Sequence, residues 1–366
     1  MKKYSAQNPL LLTPGPVMVY DRVLKDLSKP VIPHRSQEFS AILESVYSNL
    51  KYVFQTKNNV FMFPSSGTGA MCAALENLIN PNDKVLSLVC GVFGNRWVEI
   101  AKNRKADVHT IEVPYGKTIT AEMTEKFLSK NKDTKIVTLT HCETSTGALN
   151  NVKEICSIIK KYNAISVVDG VSSIGSCECM QDDWGIDVLV SASQKGLGCP
   201  PGLGFLSANG KAWRLYENCQ NRSYYFNWGY YQNAVENNSV PCTPAISLIL
   251  GLDTALKIIK EEGIENLIAR RKKYSQKLYH GLKDLGLEPL TSNTETSSAV
   301  VAVKSEKSEA IRKIMKKDFH IILAGGQAEL AGKIFRIGTL GDITEDDIDY
   351  TLNSLDKTYY KRRLEE

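Results

Sequence analysis

The stretch DVLVSASQKGLGCPPGLGF, residues 187–205, places one lysine between two apolar runs. Residues 188–190 are apolar, small residues follow them, and Lys195 stands directly before a series of glycines and prolines. Glycine and proline are the ordinary residues of tight turns, so turn chemistry alone accounts for the second half of the stretch. It does not account for a single cation among small residues. The rest of the chain decides whether this lysine is chemically active.

Strand and helix patterns alternate through the first two thirds of the chain. Short apolar runs typical of buried strands occur at 59–63, 84–89, 107–113, 135–141, 164–170 and 187–193. Patterns typical of helices occur at 36–54, 67–79, 94–104, 121–131 and 153–162. Strands that are apolar on both faces and alternate with helices predict a mainly parallel sheet covered by helices.

The pattern changes after about residue 210. Two long helical patterns at 244–263 and 265–286 are followed by strand-like runs at 297–304, 319–326 and 333–341 and by a closing helix. Thr344 suits the N-cap of that last helix, because acidic residues follow it in the first turn. We therefore expect an α/β protein with an N-terminal segment over 1–20, a large domain over 21–250 and a smaller C-terminal α/β domain over 251–366.

Composition excludes several classes of function. The 366 residues carry a formal net charge of only +5 without a sustained basic stripe, so nucleic-acid binding is not expected. The nine cysteines are scattered and form no CxxC pair, so no metal site is expected. No signal peptide and no membrane-length apolar run is recognisable. A cytoplasmic enzyme with reduced thiols is the simplest interpretation.

Several polar residues stand at the ends of predicted strands, where open parallel sheets bind their ligands. The segment PSSGTGAM, 64–71, links a strand to a helix through Ser66, Gly67 and Thr68, which suits either an anion cradle or a plain tight turn. It matches neither GxxxxGK[ST] nor GxGxxG. Asp169 ends another strand, and burial of such an acid is costly unless a cation or hydrogen bonds hold it, although a turn cap is equally compatible.

Each remaining candidate also has both a functional and a purely structural interpretation. THCETSTGAL, 140–149, places hydroxyls and one acid after a strand. Arg336 lies between apolar residues and suits either a bound carboxylate or a structural ion pair. Phe93 follows a strand and could cover an aromatic ring. Pyridoxal 5′-phosphate (PLP) would use this whole set, because it needs a Schiff-base lysine, an acid at its pyridine nitrogen and a phosphate cradle.

The motifs that carry this set also resemble a known family. The resemblance covers nearly the whole chain and rests on LLLTPGPV, HRSQEF, SSGTGAM, GVFGNRW, ETSTGALN, VDGVSS, SQKGLGCPPGLGF and FRIGTLGD. They are similar to those of class V, fold type I, PLP-dependent aminotransferases. The serine–pyruvate and alanine–glyoxylate group is the nearest match, with 2-aminoethylphosphonate–pyruvate transaminases close by.

The resemblance implies a role for each matching residue. Lys195 would hold the cofactor through a Schiff base and shuttle a proton between the substrate α-carbon and the cofactor C4′ atom. Asp169 would pair with the pyridinium nitrogen. The other implied cofactor contacts are Ser66, Gly67, Thr68 and Gln194 at the phosphate, Phe93 and Val171 on the two ring faces, Thr144 near the ring hydroxyl, and Thr243 at the phosphate of the neighbouring subunit. Arg336 would bind the substrate α-carboxylate, and Gly15 in TPGP would line the substrate side. A two-fold homodimer with shared active sites follows.

Four functions remain open at this point. We favour a ping-pong transaminase that moves an amino group from alanine or serine to glyoxylate or pyruvate. A 2-aminoethylphosphonate–pyruvate transaminase would need a second anion grip, for which His34 and Arg35 are candidates. A cysteine desulfurase-like lyase is disfavoured, because the family usually has histidines where this chain has Gln194 and Phe93. Nothing indicates a non-catalytic relative, because Lys195, Asp169 and Arg336 are all present.

Overall fold

The computed structural model describes residues 4–363 and contains two mixed β-sheets with helices around them. Its strands are β1 Leu10–Leu12, β2 Val60–Pro64, β3 Lys84–Val89, β4 Asp107–Glu112, β5 Ile136–Thr140, β6 Cys142–Glu143, β7 Ala148–Leu149, β8 Ile165–Asp169, β9 Val188–Ala192, β10 Leu203–Ala208, β11 Glu288–Pro289, β12 Val300–Lys304, β13 Ile321–Gly325 and β14 Ile334–Gly338. Its α-helices are α1 Asp21–Leu27, α2 Gln37–Phe54, α3 Gly67–Leu75, α4 Val92–Asn103, α5 Ala121–Leu128, α6 Val152–Lys161, α7 Gly210–Glu217, α8 Trp228–Glu236, α9 Ile246–Glu262, α10 Ile264–Asp284, α11 Ser308–Phe319 and α12 Glu345–Arg363. Two short 3-10 helices span Asn293–Glu295 and Ala328–Leu330.

The larger sheet has seven strands in the order β2-β10-β9-β8-β5-β3-β4. All neighbours pair in parallel except β10, which runs antiparallel to both β2 and β9. Its central strands β5, β8 and β9 are buried at every residue, as the continuous apolar runs predict. The mainly parallel α/β fold expected from the sequence is therefore confirmed.

Helix α2 illustrates how the sequence builds the layers on this sheet. Ser36 caps the helix, because its hydroxyl accepts a hydrogen bond from the Phe39 amide at 3.2 Å. Phe39, Leu43, Val46 and Leu50 recur at helical spacing and are completely buried in the core of the larger domain. The predicted helix at 36–54 is thus confirmed to within one residue.

The smaller sheet has five strands in the order β1-β13-β14-β12-β11. Its first strand comes from the start of the chain: β1 pairs in parallel with β13, Leu10 opposite Ile321 and Leu12 opposite Leu323. The same N-terminal residues enter a second hydrophobic core with side chains of α10 such as Leu278. The N-terminal segment is therefore a structural part of the smaller sheet, and the boundary after residue 250 stays a prediction.

Some predicted helix limits were wrong. Helix α3 ends at Leu75 and not at residue 79, because the chain turns at Leu78 and Ile79, whose amides donate to the Leu75 carbonyl. Helix α4 begins at Val92, two residues before the predicted start, with its first amides bound by side chains from the loop after β5. Within residues 4–363, no helix is both long and apolar enough to cross a membrane.

Candidate active site

The carboxyl ends of the parallel strands bring most of the predicted residues to one edge of the larger sheet. Strands β2, β3, β5, β8 and β9 all run in the same direction. The residues at or after these ends include Ser66, Phe93, Thr144, Asp169 at the last position of β8, and Lys195 within the turn after β9. A ligand that contacts several of these residues would lie across the ends of the strands, where α/β proteins bind small molecules.

The loop after β9 fixes the backbone around Lys195. The Ser193 amide donates to the Leu203 carbonyl at 2.9 Å, which closes the loop between β9 and β10. Within it, the Lys195 carbonyl accepts from the Gly198 amide at 3.0 Å, and the Ser193 carbonyl accepts from the Cys199 amide at 3.1 Å. These bonds hold the backbone and leave the amine of Lys195 uncommitted.

The environment of the Lys195 amine favours its neutral, nucleophilic form. The residue is 7 % exposed, and no hydrogen bond or ion pair engages its Nζ among the described residues. Burial lowers the pKa of Lys195 to about 8, and the nearby Arg336 charge lowers that pKa further while Cys142 and Asp169 oppose the shift. The lowered pKa makes the free amine more accessible near neutral pH, and covalent chemistry at a carbonyl requires that form.

Gly15 contacts the Lys195 side chain. It lies in the turn after β1, which is a strand of the smaller sheet. A Cβ placed on Gly15 would lie 2.5 Å from Cδ and 2.9 Å from Nζ of Lys195. Gly15 also has a φ of +146°, which other residues rarely adopt. A side chain at this position would displace the Lys195 side chain, so glycine lets the turn after β1 approach the lysine in its present position.

Asp169, at the end of β8, is a buried acid with few partners. Its Oδ1 accepts a hydrogen bond from the Val171 amide at 2.8 Å. Burial raises the pKa of Asp169 to about 7, with a further increase from Glu143 and opposition from Lys195 and Arg96. An acid in this state gains from a cationic partner, because such a partner would stabilise the carboxylate.

The loop after β2 has the form expected of an anion cradle. Ser66 caps α3, and its hydroxyl accepts from the Gly69 amide at 3.4 Å. A Cβ on Gly67 would lie 2.9 Å from Val171, so the cradle packs against the turn after Asp169. Gln194 directly precedes Lys195, and its buried Oε1 has no hydrogen-bond partner among the described residues. The first amides of a helix lack intrahelical acceptors, which makes this end of α3 suited to a phosphate.

Phe93 is held by two residues, Glu143 and Arg96, that were not among the predicted cofactor contacts. The amides of Phe93 and Gly94 donate to the buried carboxylate of Glu143 at 3.0 to 3.2 Å, which caps α4. The guanidinium carbon of Arg96 lies 4.6 Å from the centre of the Phe93 ring, and its Nη1 donates to the Thr68 hydroxyl at 2.8 Å. Arg96 therefore connects the aromatic ring to the cradle.

Arg336 links the smaller sheet to the larger one. Its Nε donates to the Gly325 carbonyl at 2.9 Å, and Nη1 donates to the Thr144 carbonyl at 2.9 Å and to Gln327 Oε1 at 3.3 Å. Burial lowers the pKa of Arg336 to about 10, and the only acid that opposes this shift is Glu143. Arg336 forms no ion pair among the described residues, so the alternative of a structural ion pair is not supported and its charge is available for an anionic ligand. The Thr144 hydroxyl itself lies 2.6 Å from the Ser172 hydroxyl.

Comparisons with known proteins agree with this geometry. The family model described as Aminotransferase class-V matches residues 20–350. The chain is a class V aminotransferase. It is similar to the soluble hydrogenase 42 kDa subunit of Anabaena cylindrica (39 % identity, 95 % of this chain, 92 % of the relative) and to the serine–glyoxylate aminotransferase of Arabidopsis thaliana (32 %, 92 % and 86 %). The crystal structure of an alanine–glyoxylate aminotransferase from Nostoc sp. superimposes with a TM-score of 0.91 (30 % identity, 95 % of this chain, 94 % of that chain).

Fold type I and PLP dependence follow from this membership and its structural relatives. The site of this aminotransferase fits the cofactor. It offers a buried and unengaged amine at Lys195, a buried acid at Asp169 that lacks a cation, and a helix N-terminus at Ser66 beside the unpartnered Gln194 oxygen. These features suit an aldehyde, a pyridinium nitrogen and a phosphate, respectively.

Thr243 differs from the other predicted site residues of the aminotransferase. It is exposed on the loop before α9, and no contact of the described residues joins it to the cradle within one chain. Its predicted role needs a second subunit and stays a prediction. The residues that sequence reasoning missed, Glu143 and Arg96, belonged to quoted motifs, and a single acid among hydroxyls before a helix start was the available signal for Glu143.

The cysteines of the aminotransferase are free, and seven of the nine are buried. Burial raises the pKa of Cys90 and of Cys199 to about 12, so these thiols stay protonated and unreactive near neutral pH. Among the described residues no group of three or more His, Cys, Asp or Glu side chains could hold a metal ion.

Proposed function

We propose that this aminotransferase moves the amino group of a small amino acid, alanine or serine, to a small 2-oxo acid, glyoxylate or pyruvate. The proposal rests chiefly on one observation: the buried Arg336 guanidinium reaches from the smaller sheet to the Thr144 carbonyl at the edge that carries Lys195, and no carboxylate of the described residues pairs with it. A substrate whose carboxylate binds Arg336 would therefore present its α-carbon close to the lysine. The glyoxylate-dependent relatives support small substrates by analogy.

PLP supplies an electron sink that makes the α-proton of a bound amino acid removable. Lys195 would hold the cofactor in the resting enzyme, and its amine would be the base that carries this proton between the substrate α-carbon and the cofactor C4′ atom, which suits a pKa of about 8. Asp169 holds the positive charge of the pyridine ring. Arg336 orients the carboxylate of first the donor and then the acceptor, so the two half-reactions share one site and follow ping-pong kinetics.

The remaining assignments hold the cofactor in place. Ser66, Gly67, Thr68 and Gln194 bind the phosphate through amides, hydroxyls and a side-chain amide. Phe93 and Val171 would contact the two faces of the cofactor ring, and Thr144 would bind near the ring hydroxyl. Gly15 lines the substrate side.

We also propose that the enzyme is a cytoplasmic homodimer. In this dimer, Thr243 of one subunit would complete the phosphate site of the other subunit. Thr243 is exposed, and it is followed by the long helix α9 and preceded by the exposed aromatic residues Tyr224, Tyr225 and Tyr230. Exposed aromatic side chains are typical of protein interfaces. Removing the Thr243 hydroxyl should then weaken PLP binding in the dimer, and sedimentation would report the oligomeric state independently.

A panel of donors and acceptors tests the substrate class. The PLP-loaded protein is mixed with alanine, serine, aspartate, 2-aminoethylphosphonate or ureidoglycine, and its absorption spectrum is followed from the aldehyde to the amine form of the cofactor. We expect alanine or serine to convert the spectrum and glyoxylate or pyruvate to restore it.

Two results would contradict the proposal. Rapid conversion by 2-aminoethylphosphonate, with little from alanine or serine, would assign the enzyme to phosphonate chemistry. Conversion by aspartate or ureidoglycine alone would assign another donor to the same site. His34 and Arg35 are the residues to test in the first case, since Arg35 is exposed before α2.

A further inference from the structure

Arg271 is a buried cation that the proposed reaction does not use. It lies on α10, and its side chain is completely inaccessible to solvent. Its Nη1 donates to the Gly175 carbonyl at 2.5 Å and to the Gly196 carbonyl at 2.9 Å. Among the described residues it forms no ion pair, and no hydrogen bond of ordinary geometry reaches its Nε and Nη2 atoms, although Tyr20 and Glu262 lie close enough to favour its charge.

Burial makes this arrangement costly for the folded state. Burial of a guanidinium without a carboxylate is unfavourable, and burial indeed lowers the pKa of Arg271. Tyr20 favours the charged form, whereas the neighbouring Arg270 disfavours it. A well-packed apolar side chain at this position would avoid that cost, so the contacts that Arg271 makes require another explanation.

Those contacts join the two loops that carry the chemistry. Gly196 directly follows Lys195, and Gly175 lies in the turn that follows Asp169 and Val171. The loops touch through their backbones: a Cβ on Gly196 would lie 2.0 Å from the Ile174 carbonyl oxygen. Two carbonyl oxygens therefore converge on one point, where their dipoles repel each other unless a cation lies between them.

The position of Arg271 along α10 adds a second connection. Leu267, one turn earlier, belongs to the hydrophobic core of the larger domain, and Tyr274, one turn later, belongs to that of the smaller domain. Arg271 therefore lies on the helix that passes between the two cores. One of these cores packs on the sheet that carries Arg336, and the other packs on the sheet that precedes Lys195.

We propose that Arg271 is a positioning residue that clamps the loops after β8 and β9 and so fixes Lys195 relative to Asp169. It acts through the carbonyls of Gly175 and Gly196 and touches neither substrate nor cofactor. The inference rests on the roles proposed above for Lys195 and Asp169. Small displacements of reacting groups reduce rates strongly, so loss of the clamp should affect turnover more than substrate binding.

Three variants separate this role from simple structural support. Arg271→Met removes the charge at similar length, and Arg271→Lys keeps a charge that can reach fewer acceptors. Arg270→Met is the matched control, because the adjacent Arg270 forms a partly exposed ion pair with Glu262 (2.6 Å) on the same helix. Melting temperature is measured for all three proteins.

Two readouts test the clamp. In cofactor-free protein, amide hydrogen exchange over residues 170–177 and 195–199 should accelerate about tenfold or more in Arg271→Met and not in Arg270→Met. In PLP-loaded protein, the pH at which the absorption band of the bound cofactor changes should shift, and kcat should fall about 10²-fold with little change in KM. Arg271→Lys should lie between the wild type and Arg271→Met in both readouts.

Wild-type exchange rates and an unchanged spectral titration in Arg271→Met would overturn the proposal, even if its melting temperature falls. If Arg271→Met does not fold, the same criteria apply to Arg271→Lys. The exchange experiment needs no cofactor and no turnover, so it remains decisive if the substrate panel or the role of Lys195 fails.

Discussion

The two sheets supply the candidate site in different ways. The larger sheet places Lys195 and Asp169 at the ends of adjacent strands, where short backbone hydrogen bonds within their own loops hold them. The smaller sheet supplies Gly15 and Arg336, and Arg336 reaches across to the Thr144 carbonyl of the other sheet. The first arrangement lies within one sheet, whereas the second depends on how the two sheets meet. Under the proposed function, the larger sheet would supply the chemistry, and the contact between the sheets would select the substrate.

The largest expected effect comes from Lys195→Ala on the larger sheet. We expect turnover to fall about 10⁴-fold or more, because both the covalent link and the proton transfer depend on the amine. Stopped-flow absorbance with the preferred donor measures the loss. Lys211→Ala is the control, since Lys211 is a half-buried lysine of the same domain that bonds the Ala164 carbonyl. Comparable turnover by the two variants would remove Lys195 from the reaction.

Asp169→Asn tests the other member of that sheet edge and carries a pH signature. The folded-state pKa of about 7 exceeds the ordinary 3.8, so the folded protein binds more protons than the unfolded chain between these values. The stability of the cofactor-free protein must therefore fall as pH rises through this window. We expect Asp169→Asn to raise the free energy of unfolding at pH 8 by about 1–3 kcal/mol, to leave it little changed near pH 4, and to weaken PLP binding.

Denaturant titrations of the cofactor-free protein at pH 4, 6 and 8 measure this difference. A destabilised Asp169→Asn at pH 8 would contradict the unpartnered buried acid. Tighter PLP binding by the variant would contradict its pairing with the pyridinium nitrogen.

Arg336→Gln tests the contribution of the smaller sheet. We expect KM for each carboxylate substrate to rise about 10- to 100-fold, because a charge-assisted pair is lost. The pKa of the Lys195 amine should also rise towards its ordinary value, since a nearby positive charge is gone. Arg312→Gln is the control: Arg312 binds Glu309 and the Leu323 carbonyl in the same domain. An unchanged KM would show that the carboxylate binds elsewhere.

Gly15→Ala should have the smallest effect, because the Lys195 chain is flexible and can move away from the new methyl group. We expect about a tenfold loss of kcat from the displaced amine. Gly332→Ala is the control. Gly332 also has a positive φ, +76°, but no atom lies within 4 Å of a Cβ placed there. Equal activities of the two variants would mean that Gly15 has only a conformational role.

The sequence predicted the larger sheet better than the smaller one for a physical reason. Continuous apolar runs and glycine-rich turns are local signals, and they placed Asp169 and Lys195 at strand ends where the structure has them. The three residues of β1 carry no such signal, because their strand character depends on β13, more than 300 residues away. The antiparallel β10 was likewise not recognised as a strand.

Side-chain contacts between motifs were also beyond the sequence. Glu143 caps α4 and Arg96 covers Phe93 only because the ends of β3 and β5 are neighbours in the folded sheet. Each residue has several ordinary explanations when taken alone. Their roles depend on distances between segments that periodicity does not report.

The pairing of β1 with β13 also determines the order in which the molecule can assemble during synthesis. All strands of the larger sheet lie within residues 60–208, so that sheet can form while the rest of the chain is still being translated. Leu10–Leu12 has no strand partner until Ile321–Leu323 has left the ribosome. The turn that carries Gly15 therefore reaches Lys195 late, and a nascent or C-terminally truncated chain would hold the lysine loop without the segment that covers it.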